Sequence, residues 1–174
     1  GGITPLMIAV ALGFYAIAQA LLVRGADATF CDEQGNTALH AAVQFAWASS
    51  DLEPSKRIIT RLLDAGAPIN AQNQEGSSAL LLLLGARADA GTPAPNRSLG
   101  ALVTLLLARG ADIDAQDRRG VSVLHAAAMH GMVELTQSLL KSGADPRRAD
   151  TLGRTAHEVA VLLGYVDLAA RLKR

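Results

Sequence analysis

The chain has 174 residues; half are hydrophobic, only 3% are aromatic, and sixteen basic side chains balance sixteen acidic ones. A balanced charge supplies no global field toward nucleic acid or an anionic membrane, so neither is an expected partner. The single cysteine, Cys31, excludes an intrachain disulfide and a cysteine-based zinc site, which fits the cytoplasm or another reducing compartment. Bulk supplied by Ala, Leu, Val and Ile suits closely packed helices. The longest apolar runs, such as Leu80–Leu84, fall far short of a membrane span.

In chain order, one phrase returns five times. It opens at Gly2, Gly35, Gly76, Gly120 and Gly153, with intervals of 33, 41, 44 and 33 residues. Each glycine suits the positive φ of a tight turn. Two residues later stands a helix-capping hydroxyl, at Thr4, Thr37, Ser78, Ser122 and Thr155. A short helix of small and aliphatic residues follows, then a second helix ending in paired leucines, as at Leu21-Leu22 and Leu139-Leu140. Gly25, Gly66, Gly110 and Gly143 stop that second helix. A self-similar period of this size implies stacked units, none of which buries its apolar face alone.

The phrases Thr37-Ala38-Leu39-His40 with Gly66-Ala67, and Ser122-Val123-Leu124-His125 with Gly143-Ala144-Asp145, resemble the ankyrin repeat. The resemblance covers the whole chain. It implies an all-α ankyrin-repeat solenoid of helix-turn-helix units with short β-hairpin-like turns, in one domain over 1–174. The repeats are expected at 1–31, 32–72, 73–116, 117–149 and 150–174. His40 and His125 take the family's structural histidine position. Met7, Leu81 and Glu158 depart from it, and His157 stands where leucine is usual.

The second and third units carry eight and eleven extra residues inside the helix pair, near 46–56 and 87–97. Asn96 is a suitable cap for a helix from Arg97 to Arg109. Both insertions are expected to project from the edge opposite the turns. Two readings follow: tolerated loop growth, or a recognition platform centred on Trp47, with Pro93 in the second segment. The first unit is nearly all apolar from Phe14 to Leu22, so further repeats or another domain are expected before Gly1. The last unit is partly polar, with Asp167, Arg171, Lys173 and Arg174.

The resemblance further implies a protein-interaction module, scaffold-like, that binds through a concave groove and the turn tips. The positions that vary in the family are Glu33, Gln34, Gln74, Glu75, Arg118, Arg119 and Arg154 at the tips. On the first helices they are Leu12, Gln44, Phe45, Met129 and His130, with Leu163 adding apolar surface. Arg118-Arg119, Arg147-Arg148 and Arg154 fall in successive turns and have two readings, ordinary solvated tips or a basic strip suited to an acidic protein. The alternative is a regulatory or targeting domain of a larger enzyme or membrane protein. His130 and His157 lack a carboxylate or cysteine at ligand spacing, and no catalytic motif is present, so neither an enzyme activity, a metal nor a cofactor is expected.

Overall fold

The structure, a computed structural model, describes residues 2–92 and 99–173. Among them, ten helices run in chain order: α1 (Pro5–Ala11), α2 (Tyr15–Val23), α3 (Ala38–Ala48), α4 (Glu53–Asp64), α5 (Ala79–Leu83), α6 (Gly100–Ala108), α7 (Val123–Met129), α8 (Val133–Lys141), α9 (Ala156–Leu162) and α10 (Val166–Leu172). Consecutive helices pair, and α1, α3, α5, α7 and α9 touch in series as an inner layer. Against them lie the outer helices, with α2 on α4 and α8 on α10. The turns between pairs carry isolated antiparallel bridges at Cys31–Thr37, Gln116–Ser122 and Ala149–Thr155.

Each inner helix begins at the hydroxyl the phrase predicts. Thr4, Thr37, Ser78, Ser122 and Thr155 accept the backbone N–H of Met7, His40, Leu81, His125 and Glu158. The departures from the histidine pattern have readable consequences. Glu158 still closes a reciprocal cap, because its Oε2 accepts the Thr155 N–H at 2.6 Å. Met7 and Leu81 have no polar atom for that bond. His157, in place of a leucine, places Nδ1 2.9 Å from the Ala169 carbonyl and so ties α9 to α10.

The apolar core runs through the whole stack rather than sitting inside any one pair. Leu39, Ile59, Leu62, Leu80, Leu81, Leu83, Leu106 and Leu124 are all fully buried. Each such side chain contributes about 1.5–3 kcal/mol by leaving water. Helix α5 is apolar all round and every residue in it is buried, as expected for a helix covered on all sides. The ends differ. Ile8, Leu12, Phe14, Ile17 and Val23 are exposed on the first pair. The last pair mixes exposed Asp167, Arg171 and Lys173 with exposed Val161, Leu162 and Val166, so it is polar only in part.

The first insertion is not a projecting loop. Helix α3 has 11 residues against 7 in α7, and α4 has 12 against 9 in α8. With one more residue in the connecting turn, these extensions absorb all eight additions. The hairpin is simply longer. In the third pair α5 keeps only 5 residues, and the chain turns at Gly85 into a segment that runs toward the end of α7. Pro93, Asn96 with its expected cap, and the expected helix start at Arg97 lie outside the described residues, as does Arg174.

His40 shows how local capping joins neighbouring pairs. Its Nδ1 accepts the Thr37 N–H at 3.1 Å, and its Nε2 donates to the Ser77 carbonyl of the next turn at 3.1 Å. Burial pushes this imidazole below the ordinary 6.5, against smaller opposing effects from the Ser77 and Ala71 carbonyls and Asp32. The neutral ring is therefore the folded form. Its contribution is complete above pH 6.5 and is lost as pH falls toward the lowered folded value. The thermal midpoint should fall between about pH 7 and pH 5, a window above the carboxylate range. His40→Gln should lower the midpoint at neutral pH and flatten that part of the profile. An unchanged slope in the variant would remove His40 from the acid response.

Candidate partner-binding surface

Four turn tips are each built on one Asp or Asn side chain. Asp32, Asn73, Asp117 and Asp150 stand three residues before their phrase glycines. Oδ1 of each accepts two backbone N–H groups, two and four residues ahead. For Asp117 these are Arg119 and Val121, both at 2.9 Å; for Asp150 they are Leu152 and Arg154, both at 2.9 Å. Asp32 serves Gln34 and Asn36, and Asn73 serves Glu75 and Ser77. The Asp117 side chain is 1% exposed. The regular Asp/Asn-x-x-Gly spacing was the signal that could have shown these residues to be structural.

Backbone bonds then join tip to tip. Gln74 N–H donates to the Gln34 carbonyl at 2.8 Å, Arg118 to Glu75 at 2.9 Å and Thr151 to Arg119 at 2.9 Å. The ladder sets Glu33, Gln34, Gln74, Glu75 and Arg118 along one edge, all exposed. Gln44 is exposed on α3, and Leu12, at 56%, on the end of α1. Gln74, Glu75, Arg87, Arg118 and Arg119 line an open cleft of about 560 Å³. Arg87 reaches across it to Glu75, with Nη2 and Oε1 3.1 Å apart.

The basic strip is largely neutralised where it stands. Arg119 donates to Asp117 Oδ2 at 2.8 Å and to the Ala86 carbonyl at 2.6 Å. Arg154 binds Asp150 at 2.7 Å, and Arg147 lies 3.2 Å from Asp145. Burial pushes the Asp150 carboxyl up, but the bonds from Arg154 and Leu152 outweigh it and hold the group below its ordinary value. Among the described residues, Arg118 lies in the cleft without an ion-pair partner. The strip thus holds three arginines paired to aspartates, Arg148 hydrogen-bonded to the neutral Gln116 at 3.2 Å, and Arg118 in the cleft.

The apolar anchors also need correction. Phe45 meets Tyr15 edge-on, with centroids 5.6 Å apart, and covers Gly13. Met129 is half-buried and its carbonyl accepts the Gly91 N–H at 2.8 Å. His130 is 4% exposed, with Nδ1 2.6 Å from the Thr92 carbonyl and Nε2 2.9 Å from that of Gly85. Leu163 is half-buried as well. Trp47 turns inward, its ring 5.0 Å from that of His130 and pressed on Gly85. Trp47 of the first insertion and Thr92 of the second therefore both meet His130 at the end of α7, where the histidine is 4% exposed. Among the described residues no group of three or more His, Cys, Asp or Glu is placed to hold a metal ion.

A family model described as ankyrin repeats (3 copies) matches residues 1–73 and 94–173. The nuclear factor NF-kappa-B p105 subunit of Gallus gallus is 33% identical over 174 residues, which is 98% of this chain and 16% of that protein. The B-cell lymphoma 3 protein of Homo sapiens is 32% identical over 170 residues, 82% of this chain and 36% of the relative. An ankyrin repeat and LEM domain-containing protein 1 homolog of Caenorhabditis elegans is 53% identical over 46 residues, 26% of this chain and 6% of its own length. The chain thus spans a minor part of each of these relatives.

The junction at Gly85 is open to a direct test. Gly85 and Gly143 both have positive φ, at 75° and 100°. A Cβ at Gly85 would lie 2.5 Å from the Trp47 ring and 2.9 Å from His130, whereas one at Gly143 would meet nothing within 4 Å. Gly143→Ala should cost about 1–2 kcal/mol for the left-handed backbone. Gly85→Ala should add about 1–3 kcal/mol for displacing the rings. Urea denaturation of the two variants decides it, and equal losses would contradict the packing described.

Proposed function

The chain belongs to the ankyrin-repeat family, and from that premise we propose that it holds a protein partner along the edge formed by its turn tips and the exposed face of its inner helices. Ankyrin repeats are generally protein-interaction modules. The observation that carries the finer reading is the tip-to-tip ladder, which presents side chains from successive turns in fixed register. Such a surface is preformed, so little ordering entropy opposes binding. The domain is read as the five repeats 1–31, 32–72, 73–116, 117–149 and 150–174, with the groove contacts drawn from the exposed set.

The contacts we assign are Glu33, Gln34, Gln44, Gln74, Glu75, Arg118 and, at the open end, Leu12. Phe45, Trp47 and Met129 support this surface from behind rather than meeting the partner. Arg119 and Arg154 contribute the outer faces of their paired guanidinium groups. Charge changes sign along the edge, from Glu33 to Arg118, which orients a partner more than it strengthens binding. The module works without a cofactor, and exposed Cys31 suits a reducing compartment such as the cytoplasm. Among the described residues no helix is long and apolar enough to cross a membrane.

A second reading, a regulatory or targeting unit within a larger enzyme or membrane protein, is favoured by the matched relatives, of which this chain spans 6–36%. Affinity capture with the folded chain as bait, followed by identification of the bound protein, addresses both. For the captured partner, Arg118→Glu and Gln44→Arg should each weaken the dissociation constant about tenfold, a loss of about 1.4 kcal/mol. Arg57→Glu on outer helix α4 should leave it unchanged. Equal binding by all three folded variants would discard the tip edge as the contact surface.

A further inference from the structure

The two ends of the stack expose complementary halves of one kind of junction. Counted from the phrase glycines Gly2 and Gly153, Ile8, Phe14 and Ile17 hold the positions that Val159, Tyr165 and Leu168 hold in the last pair. Val159 and Leu168 are buried and Tyr165 is half-buried, whereas Ile8, Phe14 and Ile17 are exposed. The last pair packs only on the pair before it, and the first only on the pair after it. These three positions are therefore the ones a preceding pair covers. The converse set is Val161 and Val166, both exposed, against buried Val10 and half-buried Tyr15 in the first pair. A following pair covers those: Tyr15 meets Phe45 edge-on, and its hydroxyl lies 2.9 Å from Ser55 Oγ on α4.

A knob and its socket show how such a junction closes. Tyr165 directly follows Gly164 and reaches back to Gly131, where a Cβ would lie 3.0 Å from its ring. Phe14 directly follows Gly13 in the same way, but its ring is 53% exposed. The glycines that end the inner helices are the matching sockets. Gly13 and Gly131 are each covered by a ring of the following pair, Phe45 and Tyr165; Gly85, beside the insertion, is covered by Trp47 of the preceding one. Gly164, at the end of α9, is bare, since a Cβ there would meet nothing within 4 Å among the described residues. One chain thus carries a ring without a glycine at one end and a glycine without a ring at the other.

We propose that a second copy of this chain docks head to tail, the α1–α2 face of one copy on the α9–α10 face of the next, with Phe14 seated on Gly164 and Val166 as Tyr165 is seated on Gly131. Ile8 and Ile17 lose water on one side of the contact, and Val161 and Val166 on the other. No electrostatic term opposes it. Helices α1 and α2 contain no charged residue, so Asp167, Arg171 and Lys173 meet no like charge there. The zero net charge leaves no long-range repulsion between copies. The contact uses two different faces and continues the repeat stack, so copies add in an open series rather than a closed pair. The tip edge then runs on from copy to copy and offers an extended partner several equivalent footholds. Self-association does not depend on the partner-binding reading.

The test uses the chain alone. Sedimentation velocity from about 1 µM to about 500 µM should show a sedimentation coefficient that rises with concentration, because interfaces of ordinary size bind in the micromolar range or tighter. Phe14→Glu and Val166→Glu each spoil one face at an exposed position, and each alone should keep the monomer's coefficient over the same range. Mixed in equal amounts they should form a one-to-one complex, because each retains the face the other has lost. Symmetric pairing through the first face gives a different pattern, with Val166→Glu alone still dimerising and the mixture gaining no complex between the two variants. That pattern overturns the head-to-tail contact. A wild-type chain that stays monomeric throughout also overturns it and leaves both faces to other occupants. Far-UV circular dichroism verifies the fold of each variant, and Ile17→Glu and Val161→Glu address the same two faces should either be unfolded.

Discussion

The constraint on which this molecule depends is that no helix pair can cover its own apolar faces. Leu39, Leu80 and Leu124 are fully buried because adjacent inner helices close over them, not because one hairpin folds around them. Stacking therefore has to be specified in register, and the turn tips do so. An acidic or amide side chain organises each tip from within, and one backbone bond links it to the next. A bond of this kind contributes about 0.5–1.5 kcal/mol. That is small beside the burial of the leucines, so the ladder acts on alignment more than on stability.

The histidines show the same economy of position used for different ends. His40 and His125 sit at the third position of their helices, close a cap behind them and reach forward to the next turn. Where Leu81 occupies that position, the third pair lacks the forward tie. Its connection to the fourth pair is made instead by Arg119 on Ala86 and by His130 on Gly85 and Thr92. The insertion thus replaces a missing link with a different one, built from segments far apart in sequence.

The same closure explains why the exposed surface is more polar than its residue types imply. Phe45 and Trp47 are turned onto neighbouring repeats, Met129 is half-buried against the core, and the buried carboxylates of Asp117 and Asp150 hold two of the arginines. What faces outward along the tips is a short series of amides and charges with Arg118 at its basic end. A surface of this kind discriminates by pattern and direction of charge rather than by a deep apolar pocket.

Local features were legible in the sequence because they are set by residues a few positions apart. The five capping hydroxyls and the positive-φ glycines follow from chain geometry within one phrase, and the roles of His40 and His125 came with the family resemblance. The spacing of Asp117 and Asp150 from their glycines was equally legible, though a charge at a turn reads first as solvated. Phe45, Trp47, Met129 and His130 were not legible in this way. Their exposure depends on which distant segments arrive beside them, and a helical position that faces a groove in one repeat faces an inserted turn in another. The sequence by itself determined the family, the repeat frame and the start of each inner helix. Only the tertiary structure decided that Trp47 and Thr92, one from each added segment, meet at His130, because that outcome rests on contacts between residues 38 to 83 positions apart, from Trp47 through Gly85 and Thr92 to His130.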